Sequence, residues 1–181
     1  QMTRLMQQNG VGHFDVINIS MVLLHMNDPI KVLSIAYKCL SEDGVLIIRD
    51  IDDGLNYAFP DDTRDFERIV KMCDHDQQSG NRRNGRQIYY QLRKAGFTGI
   101  RLERQGFSSV GMNDAQKQTM FQLYFPFTLE NARIMSEKFP KNPEYREDYL
   151  WYQSCFEDIH KKFMDPDFVF SFGFVSYTAR K

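Results

Sequence analysis

The 181-residue chain is short of several features that would decide a function at once. It has only three cysteines, Cys39, Cys73 and Cys155, odd in number and widely spaced. They fit neither a disulfide framework nor a paired CxxC metal site, and buried or idle thiols are their expected state. There is no excess charge: 23 Lys and Arg stand against 24 Asp and Glu, a net charge of -1. No overall field steers the molecule onto nucleic acid or an anionic membrane, and neither is an expected partner. No apolar run approaches the roughly 20 residues of a membrane helix, and no basic-then-apolar segment opens the chain. The expected location is therefore cytoplasmic. An initiating Met is missing too: the chain opens on Gln1 and reaches an apolar segment by Phe14. It is expected to be a piece of a longer protein.

What is present reads as α/β. Phe14 to Ile19 (FDVINI) is β-branched and aromatic and follows Gly10 and Gly12, which predicts a strand, prolonged by an apolar run through Leu24. Asn27-Asp28-Pro29 then supplies a capping side chain and a first-turn proline for a helix to about Leu40. Ile30, Leu33, Tyr37 and Leu40 share one face of it. After Ser41 to Gly44, the continuous apolar run Val45 to Ile48 predicts a strand covered on both faces. Strand, helix and strand make a βαβ unit with parallel strands.

Further on, a polar loop from Asp50 to Pro60 precedes a helix expected from Asp62 to about Gln78, with Phe66, Ile69, Val70 and Cys73 on one side. A second loop, Ser79 to Gly85, leads to a helix carrying Ile88, Leu92 and Ala95 inward and stopped by Gly96. Ile100, Leu102 and Phe107 belong to the next strand, with one face or one end wet. Asn113 to about Lys162 reads as helical and aromatic. Within it Tyr145, Tyr149, Tyr152, Phe156, Ile159 and Phe163 form a seam at helical period, either core-facing or a partner- or substrate-covering surface. The alternating Phe168, Phe170, Phe172 and Phe174 mark a last strand internal to the sheet.

Three stretches carry a resemblance: FDVINISMVLLHMNDP (Phe14 to Pro29), LSEDGVLIIRD (Leu40 to Asp50) and NGRQIYYQLRKAGFTGIRL (Asn84 to Leu102). In this order they resemble the fourth strand, the approach to the fifth strand, and the helix leading to strand six of class I, Rossmann-like S-adenosylmethionine methyltransferases. The resemblance implies a three-layer αβα fold of which this chain holds the C-terminal half, strands four to seven with an added helical cap. Residues 1–110 would be the half-core, 111–166 the cap, and 167–181 the final strand, inserted antiparallel between its two predecessors. The family's glycine-rich turn after strand one and acidic residue near the end of strand two have no counterpart here. S-adenosyl-L-methionine is the implied cofactor, bound weakly or not at all by this chain alone. Activity would belong to the longer parent.

Ligands of open α/β sheets sit beyond the carboxyl ends of the strands. By resemblance Ile19, Ser20 and Met21 line the methionine end of the cofactor, with His25 near the reactive centre or serving a loop carbonyl instead. Asp50, Asp52 and Asp53 follow strand five and either face a small-molecule substrate or cap turns. Arg82, Arg83 and Arg86 either clamp an anion or pair internally, Arg82 or Arg86 with Asp50 or Asp53. Cys73-Asp74-His75-Asp76 has metal-ligand composition but lies on the polar end of a helix, and no metal is expected. Methyl transfer itself asks for alignment and exclusion of water, not a covalent nucleophile.

The expected function is a methyltransferase acting on a small or medium organic substrate. A non-enzymatic binding or assembly module and half of another nucleotide-binding enzyme, such as a dehydrogenase, stand as alternatives. The strand at Phe14 is expected to leave an unpaired sheet edge, so self-association or a retained N-terminal fragment is the expected partner.

Overall fold

A computed structural model describes residues 14–75 and 80–181. They form two compact units. In the described chain the first comprises residues 14–52, 83–105 and 174–181, and the second 53–82 and 106–173.

In the first unit β1 (Phe14–Ser20) feeds helix α1 (Pro29–Cys39), which returns into β2 (Leu40–Ile51). The Asp28 carboxylate caps α1 by accepting the Lys31 N–H at 2.9 Å, the local chemistry the sequence predicts. β1 and β2 pair in parallel from Phe14 against Leu40 to Ser20 against Arg49, as a βαβ unit requires. β2 then pairs antiparallel with β5 (Val169–Arg180), Val45 against Arg180 through Ile51 against Phe174. α3 (Ile88–Ala95) ends at Gly96, whose φ of 99° provides the left-handed cap. α1 and α3 lie against each other, with the Tyr37 and Phe97 rings edge-on at 5.2 Å.

Leu46 and Ile48 on β2 and Tyr177 and Ala179 on β5 are buried on one face of this sheet. The opposite face keeps Val16 58% and Ile47 38% exposed. The expectation that Val45 to Ile48 is covered on both faces thus fails among the described residues.

In the second unit a short β3 (Tyr57–Phe59) pairs antiparallel with the Val169–Ser171 end of β5. α2 (Asp65–His75), α4 (Asp114–Lys138) and α5 (Pro143–Met164) supply most of its core. Phe66, Phe121, Phe125, Tyr152, Ile159, Phe163 and Phe170 are all buried there. The aromatic seam of α5 is therefore core at Tyr152, Ile159 and Phe163. β4 (Thr98–Ser108) also pairs with β5, which makes the last strand internal as expected. The parallel pair and the antiparallel final strand beside β2 are the Rossmann-like methyltransferase arrangement the resemblance implied.

Several boundaries differ from the sequence reading, some for local reasons and some because a distant strand supplies the partner. β1 stops at Ser20 because Met21 takes a φ of 55°, and the apolar run to Leu24 becomes a 3-10 turn. β2 begins at Leu40 because Phe14 pairs there, with an irregular register before Val16. The Asp50–Pro60 segment is not all loop, since Tyr57–Phe59 finds hydrogen-bonding partners on β5. α2 begins at Asp65, after Asp61 accepts the Glu67 N–H at 3.1 Å. The expected end of that helix near Gln78 lies outside the described residues. The helical stretch from Asn113 is broken between Lys138 and Pro143, where Asn142 caps the second helix.

Candidate active site at the ends of the parallel strands

β1 and β2 finish side by side, Ile19 against Ile48 and Ser20 against Arg49. The Met21 N–H donates to the Arg49 carbonyl at 2.8 Å, so the left-handed turn is tied to the neighbouring strand before the chain leaves the sheet. Ile19 is half-buried and Ser20 exposed, while Met21 is 38% exposed. Leu23 and Leu24 plunge into the core as the 3-10 turn Leu23–His25 forms, and His25 is left exposed at its end. The four residues expected around the cofactor thus occupy one continuous segment at the carboxyl end of β1.

Asp50 is fully buried at the end of β2. Its carboxylate accepts the Leu24 N–H at 3.1 Å, the Asn84 side-chain amide at 3.1 Å and the Ile51 N–H at 2.9 Å. Burial pushes its pKa up, and the three hydrogen bonds and the charge of His25 act in the opposite sense without cancelling it. Asn84 is itself fully buried and accepts from the Gln91 amide at 2.8 Å. Sequence reasoning missed Asn84 and Gln91. An Asn before Gly reads as turn chemistry, and no pattern marks it as interior.

Asp52 is 2% exposed and faces Arg86 through a forked pair, Nη2 to Oδ1 at 2.6 Å and Nε to Oδ2 at 2.9 Å. Such planar forks are the strong form of carboxylate recognition. Gly85 makes room for them: a Cβ there would lie 2.8 Å from the Ile51 carbonyl oxygen and 2.9 Å from the Asp52 Cβ. In the second unit Asp53 is 3% exposed and paired with Arg82 through Nε and Nη2, and it also accepts from Asn56 at 3.0 Å. Burial raises the Asp53 pKa, and Arg82 pulls it back only in part. For Arg82, burial opposes the charge, but the Asp53 contact outweighs it and keeps the guanidinium protonated.

Of the two readings of the arginine cluster, internal pairing describes Arg82 and Arg86, with Asp53 and Asp52 as partners. Among the described residues no group of three or more His, Cys, Asp or Glu is arranged for a metal ion. Asp76 of the Cys73–Asp76 run lies outside them. The described helices include none long and apolar enough to cross a membrane. A small cleft opens among α2, α4 and α5, lined by Ile69, Met72, Met135, Tyr145 and Tyr152 among others. Tyr145 and Tyr152 of the aromatic seam line it, but none of the residues expected around cofactor or substrate does.

No curated protein matches the chain. Among solved structures it is similar to Haemonchus contortus phosphoethanolamine N-methyltransferase 2, in complex with phosphomonomethylethanolamine and S-adenosylhomocysteine. The identity is 18% over 93% of this chain and 33% of that one, at a TM-score of 0.41. It is also similar to the cyclopropane synthase MmaA2 from Mycobacterium tuberculosis, 18% identical over 94% of this chain and 56% of that one, at a TM-score of 0.42. The chain thus spans a third of the first and somewhat over half of the second. The family model described as a methyltransferase domain matches residues 2–102, more than half of the sequence, and the chain belongs to that family.

Proposed function

We propose that this chain is the strand-four-to-seven portion of an S-adenosylmethionine-dependent methyltransferase that acts on a small or medium organic molecule. The observation that carries the reading is the turn at Met21. It opens the chain at the carboxyl ends of two adjacent parallel strands, where open α/β sheets receive ligands. On this reading Ile19, Ser20 and Met21 form the wall for the methionine end of the donor, and the exposed His25 stands at the reacting end.

The donor's sulfonium supplies an activated methyl group. The chain's own groups then have to align the acceptor and keep water out. Of the three aspartates expected on the substrate side, Asp52 and Asp53 act only through the backbone they brace, each within its own unit, while the fully buried Asp50 braces the donor-side turn at Leu24. Asp52 and Asp53 each face an arginine, so neither offers bare negative charge to a cationic substrate. Without a glycine-rich turn for the adenosine end, affinity in this chain is weak and the full activity belongs to a longer protein.

Saturation-transfer NMR, which reads weak complexes, separates this from the dehydrogenase alternative. With S-adenosylhomocysteine, the homocysteine protons are expected to receive saturation more strongly than the adenine protons. Transfer to nicotinamide adenine dinucleotide with none to S-adenosylhomocysteine contradicts the proposal.

A further inference from the structure

Among the described residues the Asp50 carboxylate meets three donors and no acceptor. The Leu24 N–H and the Asn84 amide converge on Oδ2, and the Ile51 N–H reaches Oδ1. Asn84 presents its amide to Asp50 while its own carbonyl oxygen accepts from Gln91 Nε2. The result is a buried line of hydrogen bonds from α3, through Asn84 and Asp50, to the backbone of the Leu23–His25 turn. An amide at position 50 would set a hydrogen against one of the three donors. The arrangement therefore suits a carboxylate, in a place where burial alone would favour an apolar side chain.

A buried charge is a costly way to hold a turn, and the turn held here is the one that follows Met21 and ends in His25. We propose that Asp50 is a positioning residue of the methyl-transfer site. Its carboxylate fixes the Leu24 N–H so that Ser20 to His25 present a preformed wall to the methionine end of the donor. The inference rests on the cofactor reading given above and adds the group that pre-organises it.

The test uses the ¹⁵N-labelled chain, titrated with S-adenosylhomocysteine and followed at the amide signals of Ile19 to His25. Asp50→Asn is expected to speed hydrogen exchange at the Leu24 amide and to weaken binding, each by about tenfold, as expected for loss of a hydrogen bond to a charged group. The swap Asp50→Asn with Asn84→Asp rebuilds the links among positions 50, 84 and 91 but leaves Leu24 facing a neutral amide. It is expected to recover thermal stability while binding stays weak.

Recovery of binding together with stability would make Asp50 merely structural and overturn the proposal. So would binding by Asp50→Asn within about twofold of the parent chain despite lost Leu24 protection. If Asp50→Asn does not fold, Asn84→Ala keeps the carboxylate and removes one donor. Unchanged affinity in that variant, together with faster exchange at the Leu24 amide, also counts against the proposal. No ligand-induced shift anywhere from Ile19 to His25 in the unsubstituted chain would remove the cofactor reading itself, and this inference with it.

Discussion

Asp53 and Arg82 are withdrawn from water together, with 3% and 12% of their side chains exposed. A buried pair of this kind adds little net stability, but removing one partner strands the other charge. Asp53→Ala is expected to cost about 3–5 kcal/mol in urea denaturation. Arg86→Ala is expected to cost less, because the Arg86 side chain is 49% exposed and water can replace part of what it gives Asp52.

The buried aspartates also set a pH dependence. Asp50 and Asp53 have folded pKa values raised, first of all by burial, so the folded chain holds their protons to higher pH than the unfolded chain. Their contribution to stability is complete below the ordinary aspartate range and is lost as pH rises through the raised values. Melting temperature should therefore fall over that window more steeply in the unsubstituted chain than in Asp50→Asn, and equal slopes would refute the assignment. Composition made an aspartate–arginine pairing legible at this end of the sheet. It did not reveal which arginine met which aspartate, since partners some 30 residues apart are chosen by tertiary packing.

At the scale of elements, the βαβ unit was legible because every signal in it is local: the Asp28 cap, the proline after it, and the apolar face of α1. Met21 was not. A Met gives no sequence sign of a positive φ, which here follows from a hydrogen bond to a neighbouring strand. β3 escaped notice because three residues pair only by virtue of a partner more than a hundred positions away. The break between α4 and α5 does have a local cause in Pro140, Asn142 and Pro143. Gly85 offers the sharpest element-level test. An added Cβ meets the Ile51 carbonyl oxygen and Val175 Cγ2 at 2.8 and 2.7 Å, and backbone cannot give way cheaply. Gly85→Ala should destabilise the chain by about 1–3 kcal/mol, the range for overpacking, measured as a lower urea midpoint at an unchanged slope.

At the scale of the whole molecule, near-neutral net charge gives little repulsion between copies. β1 pairs with β2 alone among the described residues and leaves Phe14 39% and Val16 58% exposed. We propose that this edge takes up a strand of a second copy. Sedimentation at rising concentration should show association, and a species that stays strictly monomeric would contradict it.

The segment from Ile19 to His25 is proposed as the methionine-end wall of a methyl-donor site. Ultraviolet cross-linking of methyl-labelled S-adenosylmethionine to the chain, followed by peptide mapping, tests it most directly. Label is expected in the peptide containing Ser20 to His25, displaced by S-adenosylhomocysteine; label confined to α4 and α5, or unaffected by that competitor, would rule the wall out.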